Sequence, residues 1–254
     1  MKRRSRLFPR LPGSPAPQLV LLVAGLSLLA TPLLAAGTYG PATVNRMTDV
    51  TLRLAPVSLR SALLEYRQHL DRGVKETLAS VDSAEREAIL SEAEREYALL
   101  PSLARSLEPF ERVAWHFGRL AALAYLANDP LAAKGDARAA SVHQDFLDYL
   151  ERKQPLMKVS FDGYEAPPFS GDVRAYLGRR LSGAGRYREA ILFCYFPEGR
   201  RVSSDTFDDQ SNAFGAAQSV LSHAVSDAAK LWFYAWKSMD GDVSATPFFR
   251  GEAR

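Results

Sequence analysis

His223 and Asp227 are the first pair in this 254-residue chain whose spacing could serve chemistry. They are four residues apart, so both side chains point to the same side if the segment is a helix. An imidazole and a carboxylate on one helix face can supply two ligands of a zinc site. The same pair also occurs as an ordinary ion pair on a helix surface, and that structural alternative stays open.

His143 is the second candidate metal ligand. Asp145 and Asp148 are close to it in the sequence, but residues two apart do not share a helix face. His143 therefore also has a structural alternative, as a histidine of the core or of a solvated helix face. Asp129 and Asp209 are possible further ligands of a reduced metal site. Asp209 also has a structural alternative, because a carboxylate at the start of the last predicted helix can cap it.

Motifs of several catalytic classes are missing from the sequence. It contains no HExxH, paired CxxC, Walker loop or GxSxG, so serine-hydrolase and nucleotide-binding functions have no motif to support them. Cys194 is the single cysteine, which excludes an internal disulfide. Its neighbours are apolar, so we predict a small buried side chain and not a nucleophile.

The first 37 residues are typical of a secretory signal segment. Five basic residues in the first ten positions precede an apolar run from Leu19 to Ala30, and the small residues Ala35–Gly37 follow. We predict export to the periplasm or the extracellular space, with cleavage near Thr38. The alternative is an uncleaved membrane anchor, which is the one membrane contact that the sequence predicts.

The chain after this segment is mildly acidic. Subtracting the five leader residues from the 32 Lys and Arg leaves 27, against 29 Asp and Glu, a net charge of −2. This balance gives no basic footprint for nucleic acid. The sequence identifies no other partner.

Apolar residues recur with helical periodicity over residues 38–241, which predicts one all-α domain of seven or eight helices and a tail at 242–254. Pro101 and the Gly183–Gly185 stretch are predicted to separate helices. Lys158–Phe161 is the one strand-like stretch. The predicted helices cover 41–54, 57–78, 83–100, 109–127, 137–152, 172–182, 186–196 and 209–238.

Three stretches resemble the all-helical zinc-dependent phospholipases C and S1/P1-type nucleases. Tyr39–Thr43 is similar to the mature N-terminus of that family, and residues 117–132, with their Asn-Asp-Pro stop, resemble its central helix. Ser141–Phe146 resembles the segment that carries the next family histidine, which would be His143. The resemblance spans residues 39–237 and implies an all-α fold, a zinc site and cleavage of phosphodiesters.

Most of the metal ligands that the resemblance implies are replaced in this chain. Tyr39 stands in place of a metal-binding N-terminal tryptophan, and Val44 lies near the place of an early histidine. Leu147 replaces the glutamate expected one turn after His143. Two alignments of the central helix put apolar or amide residues at its ligand positions: Ala122, Leu126 and Ala132, or Ala124 and Asn128.

These departures favour a non-catalytic relative that kept the scaffold and lost the metals, a binding or scaffold protein without a cofactor. The alternative is a divergent metal-dependent phosphoesterase with a reduced zinc site built from His143, His223 and Asp227. A third hypothesis comes from residues 181–190, which resemble a tetratricopeptide hairpin. It is the weakest, because a solenoid needs about three such repeats.

Overall fold

The computed structural model describes residues 38–132, 134–164 and 169–249, and the predicted signal segment lies outside them. These residues contain eight α-helices and no strand, which confirms the all-α fold class. They belong to one compact unit. The helices are α1 Pro41–Leu54, α2 Val57–Glu65, α3 Arg67–Ser80, α4 Arg86–Arg105, α5 Phe110–Ala127, α6 Ala137–Lys153, α7 Val173–Tyr195 and α8 Asn212–Ser238.

Helices α5 and α8 lie at the centre of the unit. Every residue from Leu120 to Ala127 is buried, so α5 is covered on all sides and not along one stripe. The indole Nε1 of Trp232 on α8 donates a hydrogen bond of 2.9 Å to the Phe117 carbonyl on α5. The polar edge of a fully buried tryptophan is thereby satisfied, and the two central helices are joined by a direct contact.

Helices α3 and α5 pack closely because glycines lie at their crossing. A Cβ atom at Gly73 would collide with the carbonyl oxygen of Trp115, and one at Gly118 would collide with the carbonyl oxygen of Leu70. Both obstructing atoms belong to the backbone, which cannot rotate away. Each glycine therefore permits a backbone approach that no other residue type allows.

Two predicted helix breaks are wrong. Helix α4 continues through Pro101, and α7 continues through the stretch Gly183–Gly185, so residues 172–196 are not a hairpin. A glycine inside a helix costs about 1 kcal/mol and a proline about 3 kcal/mol. Buried residues lie on both sides of each position, for example Leu100 and Leu103 around Pro101. Burial of apolar side chains on both sides offsets the local cost.

Two other predicted boundaries also differ from the structure. The predicted helix 57–78 is divided at Tyr66, whose backbone leaves the helical region at φ −105° and ψ 31°. The change in direction brings α3 onto α5. The last helix begins after Ser211, because the Ser211 hydroxyl accepts the Phe214 N–H at 3.1 Å and caps the helix. Asp209 is instead paired with Lys153 at 2.7 Å.

The strand-like segment 158–161 pairs with a helix and not with another strand. The amides of Lys158, Ser160 and Asp162 donate to side-chain oxygens of α8 at 3.0, 3.0 and 3.3 Å. Their acceptors are spaced one helical turn apart: Gln218, Ser222 and Ser226. Alternate residues of an extended chain point the same way, so their amides match this row of acceptors.

Residues after α8 return to the first part of the chain. The Ala245 carbonyl accepts the Val57 amide at 3.2 Å, and the Asp242 carbonyl accepts the Ser58 hydroxyl at 2.7 Å. The described part of the predicted tail thus covers the start of α2. Within the described ranges, no helix combines the length and the apolar character that crossing a bilayer requires.

Candidate functional site

Asp227 is fully buried at the centre of a polar cluster between α5, α7 and α8. Its carboxylate accepts hydrogen bonds from Tyr176 at 2.5 Å, from Arg180 at 2.8 Å and from Asn128 at 2.8 Å. Three donors of this kind satisfy a buried carboxylate. Burial raises the pKa of Asp227, and the Arg180 guanidinium and the other donors oppose that shift.

The charges inside this cluster balance. Arg180 also contacts Asp162 at 2.9 Å, and Lys230 contacts the same carboxylate at 2.8 Å. Two acidic residues, Asp162 and Asp227, are thus matched by two basic ones. Burial lowers the pKa of Lys230, and the Asp162 carboxylate opposes that shift. We name Asp162, Tyr176, Arg180, Asp227 and Lys230 the ion cluster; it extends from the fully buried Asp227 and Lys230 to the exposed Asp162.

His223 lies one turn before Asp227 on α8, as the spacing predicts, but it contacts a different partner. Its Nε2 is 2.9 Å from the Tyr187 hydroxyl of α7. Burial and the positive charge of Arg180 lower the pKa of His223 below 6.5. The imidazole is therefore neutral at pH 7, and it shares one proton with Tyr187 through this hydrogen bond.

A cavity of about 240 Å³ opens beside His223, between α7 and α8. Three arginines line it, Arg179, Arg180 and Arg186, and Ala184 and Val220 supply apolar wall. The remaining described residues that line it are Asn128, Gly183, Tyr187 and His223. No carboxylate is among these described residues. We name this space the α7–α8 cavity.

His143 is in a different place, at the end of α5. Its Nε2 lies 2.7 Å from the Asp129 carboxylate. Burial opposes protonation of His143, but Asp129 outweighs it and raises its pKa above 6.5. Tyr39 is buried close by, and burial together with the Asp129 charge raises its pKa well above the ordinary value.

The three predicted ligands therefore do not form one site. His143 pairs with Asp129, His223 with Tyr187, and Asp227 with the basic and hydroxyl groups around it. Across the described residues, no group of three or more His, Cys, Asp or Glu side chains is arranged to hold a metal ion. These residues do not fit the dense ligand set that a zinc site requires.

The other two histidines and the cysteine also have structural surroundings. His116 is buried, and its Nδ1 lies within hydrogen-bond distance, 2.5 Å, of the buried Glu96 carboxylate, a contact that the sequence did not predict. Arg119 contacts the same carboxylate at 2.8 Å. His69 is half-buried. Cys194 is also half-buried, so the prediction of a buried cysteine among apolar neighbours is wrong.

Sequence reasoning also missed the arginines of the α7–α8 cavity. Arg179 and Arg186 are seven residues apart, which places them on one face of a continuous helix. Because the predicted break at Gly183–Gly185 assigned the two arginines to different helices, the sequence did not predict that they share a face. A continuous helix through residue 183 would have revealed the basic face.

Comparisons of the chain with protein-family models, with curated proteins and with solved structures find no match. The relationship to the zinc-dependent phospholipases thus stays a prediction from the residues.

Proposed function

We propose that this chain is an exported, non-catalytic binding protein whose ligand site is the α7–α8 cavity. One observation carries the proposal. His143, His223 and Asp227 are each held by a different protein partner, whereas the cavity beside His223 is lined by polar groups that keep hydrogen-bonding capacity. Small-molecule sites are concave and combine apolar wall with a few convergent polar groups.

The proposed ancestry is a scaffold shared with the zinc-dependent phospholipases C and P1-type nucleases. The all-α fold is compatible with it, and so is the position of His143 against the end of α5. The replacements at Val44 and Leu147 account for the loss of metal, because neither side chain can bind zinc. Export is proposed from the basic and apolar leader, and an intact Met1 in a membrane fraction would contradict its cleavage.

The alternative is a divergent metal-dependent phosphoesterase, and one observation favours it. Asp129 and His143 form an imidazole–carboxylate pair 2.7 Å apart, next to Tyr39. Such a pair can bind a divalent ion once the imidazole is deprotonated, although it supplies too few ligands for tight zinc binding.

Metal analysis and a phosphodiester assay distinguish the two functions. The purified chain is incubated with zinc and dialysed, its metal content is measured, and hydrolysis of bis-p-nitrophenyl phosphate is followed. We expect substoichiometric zinc and no turnover. Stoichiometric zinc that is lost in His143→Ala or His223→Ala, but kept in His69→Ala, would overturn the proposal and support the metal-dependent enzyme.

A further inference from the structure

We infer that the α7–α8 cavity binds the oxyanion group, phosphate or carboxylate, of a small organic molecule. This inference rests on the proposed function, since it names the ligand class of the proposed site.

The charge of the cavity is not compensated by the protein. Arg180 is neutralised within the ion cluster, where two acidic and two basic side chains are paired. Arg179 and Arg186 form no ion pair with any residue of the described ranges. The Nε of Arg186 donates a hydrogen bond to the Gly183 carbonyl at 3.1 Å, which leaves the charge of its guanidinium uncompensated. Two guanidinium groups at one cavity mouth repel each other and attract a negative group, which guanidinium recognises with paired hydrogen bonds.

The neutral pair formed by His223 and Tyr187 adds a donor. If Tyr187 donates to Nε2, the imidazole keeps its N–H on Nδ1; if Nε2 donates, the Tyr187 hydroxyl keeps its own proton. In both arrangements one N–H or O–H group remains for a ligand oxygen. Neither side chain forms another hydrogen bond with a described residue.

The size of the cavity indicates a small ligand. Its volume of about 240 Å³ lies just below the usual range of drug-sized sites, which begins at about 300 Å³. Ala184 and Val220 provide apolar wall beside the arginines. The cavity thus fits a short carbon skeleton that carries one anionic group.

Gly183 lines the cavity without a side chain and so leaves space for a ligand. A Cβ atom there would lie 3.5 Å from a terminal nitrogen of Arg186, an ordinary contact, and would meet no other atom within 4 Å. The added methyl would occupy space beside the guanidinium that a ligand oxygen would approach. Gly185 does not line the cavity, and a Cβ there would also lie in open space, so it is the matched control.

Isothermal titration calorimetry of the full chain, with inorganic phosphate and separately with succinate, tests the inference. We expect at least one anion to bind, and Arg179→Gln and Arg186→Gln each to bind it about tenfold more weakly. Arg201→Gln, which removes an exposed arginine away from the cavity, should bind as the unmodified chain does. Which of the two anions binds distinguishes a phosphorylated ligand from a carboxylic acid.

The glycine variants provide a second readout. Gly183→Ala should stabilise α7, because alanine is the better helix former, and yet weaken anion binding. Gly185→Ala should stabilise the helix to a similar degree and leave binding unchanged. If Gly183→Ala gains stability but loses affinity for the anion, and Gly185→Ala gains stability without losing affinity, the ligand lies beside residue 183.

Two results overturn the inference. One is that neither anion binds, and the other is an equal loss of affinity in Arg201→Gln, which would indicate attraction to general surface charge. If the metal analysis gives substoichiometric zinc and the phosphodiester assay shows no turnover, either of these binding results would overturn only the proposed ligand class. Stoichiometric zinc and phosphodiester turnover would overturn the proposed function whatever the anions do.

Discussion

The Nε atom of Arg180 lies 2.8 Å from the Asp227 carboxylate, so a charge on α7 is paired with a fully buried charge on α8. Tyr176 and Asn128 complete the environment of that carboxylate from two further positions. The pair joins the helices that border the α7–α8 cavity. It therefore positions the cavity wall, and we assign it a structural role beneath the proposed site.

Asp227→Asn should destabilise the fold by about 3 kcal/mol, the lower end for breaking a buried ion pair, because Arg180 keeps Asp162 as a second partner. Urea denaturation measures the change. Asp205→Asn is the matched control: its pair with Arg152 is exposed, and such pairs contribute at most about 1 kcal/mol. Equal effects of the two substitutions would contradict the structural role of the buried pair.

Leu120→Asp should destabilise by several kcal/mol, because it would bury an unpaired charge in the centre of α5. The control is Leu64→Asp in α2. Leu64 is 51% exposed, so its replacement should cost about 0.5 kcal/mol or less. A near-neutral Leu120→Asp, measured by thermal denaturation, would contradict the central position of α5.

Gly73→Ala and Gly118→Ala should each lower the free energy of unfolding by about 1–3 kcal/mol, because the added methyl would meet backbone carbonyls across the α3–α5 crossing. Gly215→Ala is the control on α8, where a Cβ lies in open space. That substitution should raise the free energy of unfolding by up to about 1 kcal/mol. Stabilisation in all three variants would show that α3 and α5 are further apart than the structure places them.

His143 and His223 should give the stability of the protein opposite dependences on pH. The pKa of His143 is raised, so its stabilising contribution is complete below pH 6.5 and is lost as pH rises through the raised value. The pKa of His223 is lowered, so its contribution is present above pH 6.5 and is lost as pH falls through the lowered value.

Denaturation of single variants on either side of pH 6.5 tests this relation. The stability difference between the unmodified chain and His143→Gln should shrink as pH rises. The difference for His223→Gln should shrink as pH falls. His69→Gln serves as the control, since His69 forms no ion pair with a described residue. A shared direction for both variants would contradict the assigned partners.

The parts of the fold that sequence predicts well are those where local chemistry and packing agree. α1 and α5 begin and end as expected, because Pro41 starts the first and the Asn-Asp-Pro stretch after Ala127 stops the second. Two of the errors lie at Pro101 and Gly183, where local preference opposes the helix and tertiary packing prevails. The residue pattern of a single segment does not indicate whether packing against other helices will outweigh a local helix breaker.

The candidate site was predictable only along a single helix. The four-residue spacing places His223 and Asp227 one turn apart on α8. The partners of Asp227 come from far along the chain: Arg180 is 47 residues away, Tyr176 is 51 and Asn128 is 99. Spacing within one helix carries no information about such partners, since they depend on how the helices are arranged.

The pairing of segment 158–162 with α8 restricts which insertions and deletions this chain can accept. Its amides face every fourth residue of the helix, from Gln218 to Ser226, and the Asp162 carboxylate continues the series to Lys230. Loss of one residue would turn the alternate amides away from their acceptors, whereas loss of two would restore the alternation one helical turn along. Length changes that survive in this segment should therefore come in multiples of two, a parity that ordinary surface loops do not obey.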